Sequence, residues 1–175
     1  MPDPGFIGAS IIAVQMLACG PLVLAEIRES SPDVVRIENR SAEGWSISSL
    51  SFDLSTSEGR IFIDSSPADD GFAGSAPFIT TKGRIKVRSV SGTEDGSTHL
   101  SFSFDAFPSP DVYHFLIDFD DGLYNSDFGQ AYIDPHEVAG TALTATFTDP
   151  AGISSTATGI FSADGKVVLG GGGCV

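Results

Sequence analysis

The sequence predicts an all-β protein, an antiparallel β-sandwich or jelly roll of about eight to ten short strands. Three observations carry that expectation. The 175 residues include 20 Gly and 10 Pro, which punctuate the chain too often for long helices. Apolar residues, above all 13 Phe, alternate with Ser, Thr and Asp at a period of two, and no segment keeps the helical period of 3.6. One open sheet could not bury so many Phe and Leu side chains, so two sheets must pack together.

Along the chain, Val34 to Glu38 reads as a strand ended by the polar turn Asn39 to Gly44. Trp45 to Ser55 follows, where Leu50, Phe52 and Leu54 alternate with Ser51 and Asp53 while Trp45 and Ile47 have the opposite parity. A β-bulge near Ser48 would bring all five apolar residues to one face. Further alternating runs lie at Ile61 to Ile63, Ile85 to Val90, Leu100 to Phe104, Tyr113 to Phe119, Leu143 to Phe147, Thr156 to Phe161 and Val167 to Leu169. Ser65 to Thr81 has turn chemistry and little periodicity, which predicts a long loop between the sheets.

Phe6 to Ala25 is apolar and free of charge, and the polar stretch from Glu26 follows at once. That is an export signature, although Met1 to Gly5 carries Asp3 and no Lys or Arg. Gly20 and Pro21 break the run, and Val23 with Ala25 supplies a small-residue pattern, so cleavage is expected after Ala25. Leu17, Ala18 and Cys19 also resemble a lipoprotein acylation box displaced by one residue, and an uncleaved run of about 20 residues could span a bilayer. The expected organisation is a signal peptide over 1–25, a β-sandwich domain over 26–169 and a flexible Gly-rich tail over 170–175. Cleavage after Ala25 would remove Cys19 and leave Cys174 as a lone tail thiol, suited to joining two chains.

The formal net charge is −14. Nucleic acid and anionic membrane surfaces would repel such a chain, leaving cations or neutral ligands as natural partners. Gly170 to Gly173 has neither the Lys nor the helix of a phosphate-binding loop. His99, His114 and His136 are scattered, so neither a zinc motif nor a His-based triad can be read from their spacing. Asn39-Arg40-Ser41 fits a glycosylation acceptor for a eukaryotic secretory pathway.

The richest stretch is Tyr113 to Gln130. If the strand ran unbroken, Phe115, Ile117 and Phe119 would face one way and His114, Leu116, Asp118 and Asp120 the other, placing two carboxylates about 6–7 Å apart on one side. Asp121, Asn125 and Asp127 follow. These five residues form a hard-oxygen set of the kind Ca²⁺ needs, without the EF-hand spacing; a solvated strand face running into an Asx-type turn is the simpler reading of them. Paired carboxylates also serve glycoside hydrolases, although Trp45 and a few Tyr are all the chain offers for stacking on sugars.

The stretches Val34 to Ser55, Leu100 to Phe107, Phe115 to Gly122 and Val138 to Asp149 together resemble bacterial exported proteins related to sponge aggregation factor core protein. The shared order is a strand with an Asn-Ser turn, a Phe-rich strand, an Ile-Asp-x-Asp-Asp strand and an Ala-Gly-x-x-Leu-x-Ala-x-Phe strand. The resemblance implies an extracellular β-domain associated with adhesion and calcium. It transfers no catalytic residue, and only Asp118, Asp120 and Asp121 match its acidic strand. The expectation is therefore a non-enzymatic, secreted or cell-surface binding module that recognises a glycan or surface protein. The alternatives are a self-assembling structural subunit and, more remotely, a carboxylate-dependent glycoside hydrolase.

Overall fold

The computed structural model describes residues 19–67, 74–80, 84–123 and 130–171. Twelve strands occur among them: β1 Leu22–Arg28, β2 Asp33–Asn39, β3 Ser46–Asp53, β4 Phe62–Ile63, β5 Ile79–Thr80, β6 Lys86–Ser91, β7 His99–Ala106, β8 Val112–Ile117, β9 Phe119–Asp120, β10 Ala142–Thr148, β11 Ser154–Ile160 and β12 Lys166–Gly170. One five-stranded antiparallel sheet has the order β12-β1-β2-β8-β5 and a second has the order β11-β10-β3-β7-β6. β4 and β9 make a separate two-stranded sheet. The β-sandwich predicted from the two-residue rhythm is what the chain forms.

The core lies between the two five-stranded sheets, because each strand turns its alternate apolar residues inward. Val23, Val35, Ile37, Tyr113 and Phe115 come from one sheet; Leu50, Phe52, Phe102, Leu143 and Phe147 come from the other. Phe52 meets Phe102 and Phe115 edge-on at ring separations of 6.4 and 6.3 Å. Each buried Phe contributes roughly 1.5–3 kcal/mol through apolar area removed from water. The expected bulge is present: Thr146 pairs with Ser49 and Phe147 with Ile47, so Ser48 is passed over and Ile47 turns inward with Leu50 and Phe52. Trp45 packs against the rim of this core.

Two boundaries are corrected. β1 begins at Leu22, inside the stretch read as a leader, and pairs with β12 on one side and β2 on the other. Val23 and Ala25 are buried, so a cut after Ala25 would halve a central strand. Leu22 to Ala25 read as the end of a leader because a strand with two paired neighbours shares a leader's apolar composition. Residues 1–18 lie outside the described residues. Cys19 is disulfide-bonded and no cysteine among the described residues is free, which corrects the expectation of a mature chain with a single thiol; Cys174 lies outside the described residues. The expected long loop also contains β5, whose Ile79 and Thr80 pair with Leu116 and Phe115.

Two smaller features complete the fold. Pro135–Val138 forms a one-turn helix, α1, capped reciprocally by the Asp134 and Glu137 side chains. Asn39 is fully buried and its side-chain N–H donates to the Phe107 carbonyl at 2.9 Å, so the apparent glycosylation acceptor is a core hydrogen-bonding group.

The outer face of the β11-β10-β3-β7-β6 sheet has an unusual surface. Thr158, Thr144, Ser51, Ser101 and Ser91 stand opposite one another across all five strands. So do Thr156, Thr146, Ser49, Ser103 and Ser89 in the next row. Hydroxyls within these rows bond each other, Ser51 to Ser101 at 3.1 Å, Ser89 to Ser103 at 2.6 Å and Thr144 to Thr158 at 2.9 Å. In a chain of net charge −14, both rows are free of charge.

Candidate metal centre

β8 leaves its sheet at Ile117, and the next residues cross to a different partner. Phe119 and Asp120 of β9 pair with Ile63 and Phe62 of β4, and the Asp64 N–H donates to the Asp118 carbonyl at 3.0 Å. The strand therefore does not run on as one face. Asp118, expected on a solvated side, is only 5% exposed, and Asp64, Asp120 and Asp121 are more deeply buried still.

Asp64, Asp118 and Asp120 each bring one carboxylate oxygen within 4.8 Å of the others. Two ionised carboxylates at that separation repel by about 3.5 kcal/mol at an effective dielectric of roughly 20. Three buried charges so close cannot all persist without a proton or a cation among them. The acid–base balance records this strain. The Asp118 carboxyl is pushed up to about 7, by burial first and then by Asp120 and Asp64. Burial likewise raises the Asp64 carboxyl against the opposing effect of the Ser66 N–H, and neighbouring Asp95 adds to the rise.

One Asp118 oxygen, Oδ2, is buried without a hydrogen-bond partner, as is Oδ2 of Asp121. A buried carboxylate oxygen with no donor is costly unless something positive meets it. Neither Asp64 nor Asp118 takes part in the ion pairs among the described residues. The three residues could hold a metal ion. The donor set is oxygen only, with neither His nor Cys, which suits hard cations such as Ca²⁺, Mg²⁺ or Mn²⁺.

Two further carboxylates, Asp95 and Asp33, fasten the backbone on either side of the cluster. Asp95 Oδ1 accepts from the Ser65 and Ser66 N–H groups at 2.8 and 3.2 Å, tying the turn before β7 to the segment after β4. On the other side Asp33 accepts from the Phe119 N–H at 2.9 Å and the Ser30 N–H at 3.1 Å. Burial outweighs those two bonds and pushes its carboxyl up to about 8, with Asp118 and Glu29 adding.

Of the five residues proposed from sequence, Asp118 and Asp120 meet in this cluster. Asp121 is adjacent and buried but uses Oδ1 to accept from the Leu123 N–H at 2.7 Å, an Asx-type turn. Asn125 and Asp127 lie outside the described residues. Asp64 was missed because it lies far away in sequence, at the head of an apparent loop. One signal was there: Ile63-Asp64 and Ile117-Asp118 are the same dipeptide at the ends of two strands, and those strands become neighbours. The histidines sit on separate elements, His99 on β7 beside Asp53 at 3.3 Å, His114 on β8 and His136 on α1.

No family model matches the chain, and no curated protein or solved structure matches it significantly. Among the described residues no helix is long and apolar enough to cross a membrane.

Proposed function

We propose that this protein is an exported, calcium-stabilised β-sandwich that binds a glycan or a surface protein outside the cell. The observation that carries the reading is the buried Asp64, Asp118 and Asp120 cluster with its unpartnered Asp118 oxygen. Calcium is favoured among hard cations because it accepts irregular shells of six to eight oxygens, which carboxylates, backbone carbonyls and water can fill together. The ion would fasten the segment after β4 to the segment after β8. Its affinity would suit extracellular calcium, with a dissociation constant in the range of about 10⁻⁴–10⁻³ M.

Export is supported by the apolar run before β1 and by the disulfide at Cys19, since such bonds persist in oxidising compartments. Binding is supported by the uncharged hydroxyl rows, whose donors and acceptors match those of a neutral glycan. The resemblance to aggregation-factor-related proteins points the same way. Calorimetric titration with CaCl₂ tests the metal, with saturable heat expected from the wild type and none from Asp118→Asn. Absence of heat at millimolar calcium would remove the calcium reading. A glycan array read in calcium and in EDTA tests the ligand; uniform blankness in both would remove the glycan.

A further inference from the structure

We infer that β11 is an assembly edge, which pairs antiparallel with β11 of a second copy and fuses two hydroxyl faces into one. The two five-stranded sheets have four edges, and three are guarded. β5 has two residues. β6 carries Lys86 and Arg88, and its pairing with β7 shifts register twice within the strand; bulges and edge cations both discourage a further strand. β12 is short and presents Lys166, which reaches Asp164 at 3.3 Å and Glu26 at 4.0 Å.

β11 has none of these defences. All seven residues, Ser154 to Ile160, pair with β10 without a register shift. From Pro150 to Ala163 the chain has no charged residue. A protein of net charge −14 repels its own copies wherever its charge is exposed, so this neutral margin is where two copies approach at least electrostatic cost. Large apolar side chains stand exposed at both ends of the strand, Ile153 at 65% and Ile160 at 57%. Antiparallel pairing brings the Ile160 end of one copy to the Ile153 end of the other.

A two-fold axis at Ala157 sets Thr156 of one copy opposite Thr158 of the other. The row through Thr156, Thr146, Ser49, Ser103 and Ser89 then continues into the row through Thr158, Thr144, Ser51, Ser101 and Ser91 of the second copy. Such an isologous contact closes on itself, giving a dimer and not a filament. It doubles the uncharged face while leaving the acidic cluster untouched, so it stands or falls independently of the metal.

Analytical ultracentrifugation of the full chain, from micromolar to millimolar and in EDTA, tests this. The expected result is a dimer whose share grows with concentration, weakened at least tenfold in T156K/T158K, where four lysines would face one another across the junction. Arg88→Ser, on the opposite edge, should leave it unchanged. A wild type that stays monomeric, open fibrous assembly, or a T156K/T158K variant that dimerises undiminished would overturn the inference. Should that variant misfold, hydrogen exchange on the wild type decides: protection over 154–160 must rise with concentration, and concentration-independent exchange would refute the edge.

Discussion

Replacing Asp118 with Asn should make the metal-free protein more stable at pH 8 and at the same time deprive it of its response to cations. The folded-state carboxyl is raised from 3.8 to about 7, so the folded chain holds this proton more tightly than the unfolded chain. Its contribution to stability is fully present below about pH 4, declines as pH climbs through the folded-state value near 7, and stays lost above it. A rise of about three units at ~1.4 kcal/mol each makes the ionised group cost on the order of 4 kcal/mol. Asn removes that charge and offers two N–H donors to the neighbouring carboxylates. For a chain of this size the gain corresponds to a melting point higher by on the order of 10 °C in EDTA at pH 8, with little change at pH 4. Differential scanning calorimetry in EDTA and in saturating CaCl₂, at both pH values, measures all four quantities. Wild type should gain from calcium chiefly at pH 8, where the ion need not displace a proton. A variant destabilised in EDTA at pH 8, or one still raised by calcium, would refute the account of these carboxylates as a repulsive, cation-seeking cluster.

Asp33→Asn should flatten the fall in wild-type stability between about pH 4 and pH 8, because a carboxyl raised to about 8 by burial favours the folded state only while protonated. At pH 4 the same variant should be weaker by about 1 kcal/mol, since its amide must turn an N–H toward the Phe119 or Ser30 N–H; urea titrations at the two pH values show both effects. A chain beginning at Cys19 should fold cooperatively, whereas one beginning at Glu26 should not, because the second lacks the buried Val23 and Ala25; circular dichroism melts distinguish them.

The cation response, if found, also bears on how the sandwich closes. β4 and β9 have two residues each, too few for a stable pair by themselves. They are held by the core residues Ile63 and Phe119, by the Asp33 bond to Phe119 and by the Asp95 bonds to Ser65 and Ser66. A cation joining Asp64 to Asp118 would add a third fastening at the same junction.

The alternation of apolar with polar residues by itself determined the sandwich, the bulge at Ser48 and the membership of the core, because a strand presents successive side chains to opposite faces and water sorts them. It also marked Asp118 and Asp120 as candidates. It could not show that Leu22 to Ala25 form a central strand, since a strand paired on both sides and an export segment are both uncharged and apolar. Nor could it supply Asp64, which comes from 54 positions earlier than Asp118 and meets it only because β8 breaks at Ile117 and β9 takes β4 as its partner. Local pattern fixes which way a side chain points along its own strand. Which strands become neighbours is decided by packing across the whole chain, and in this protein that packing brings the distant Asp64 to Asp118 and Asp120 in one buried cluster.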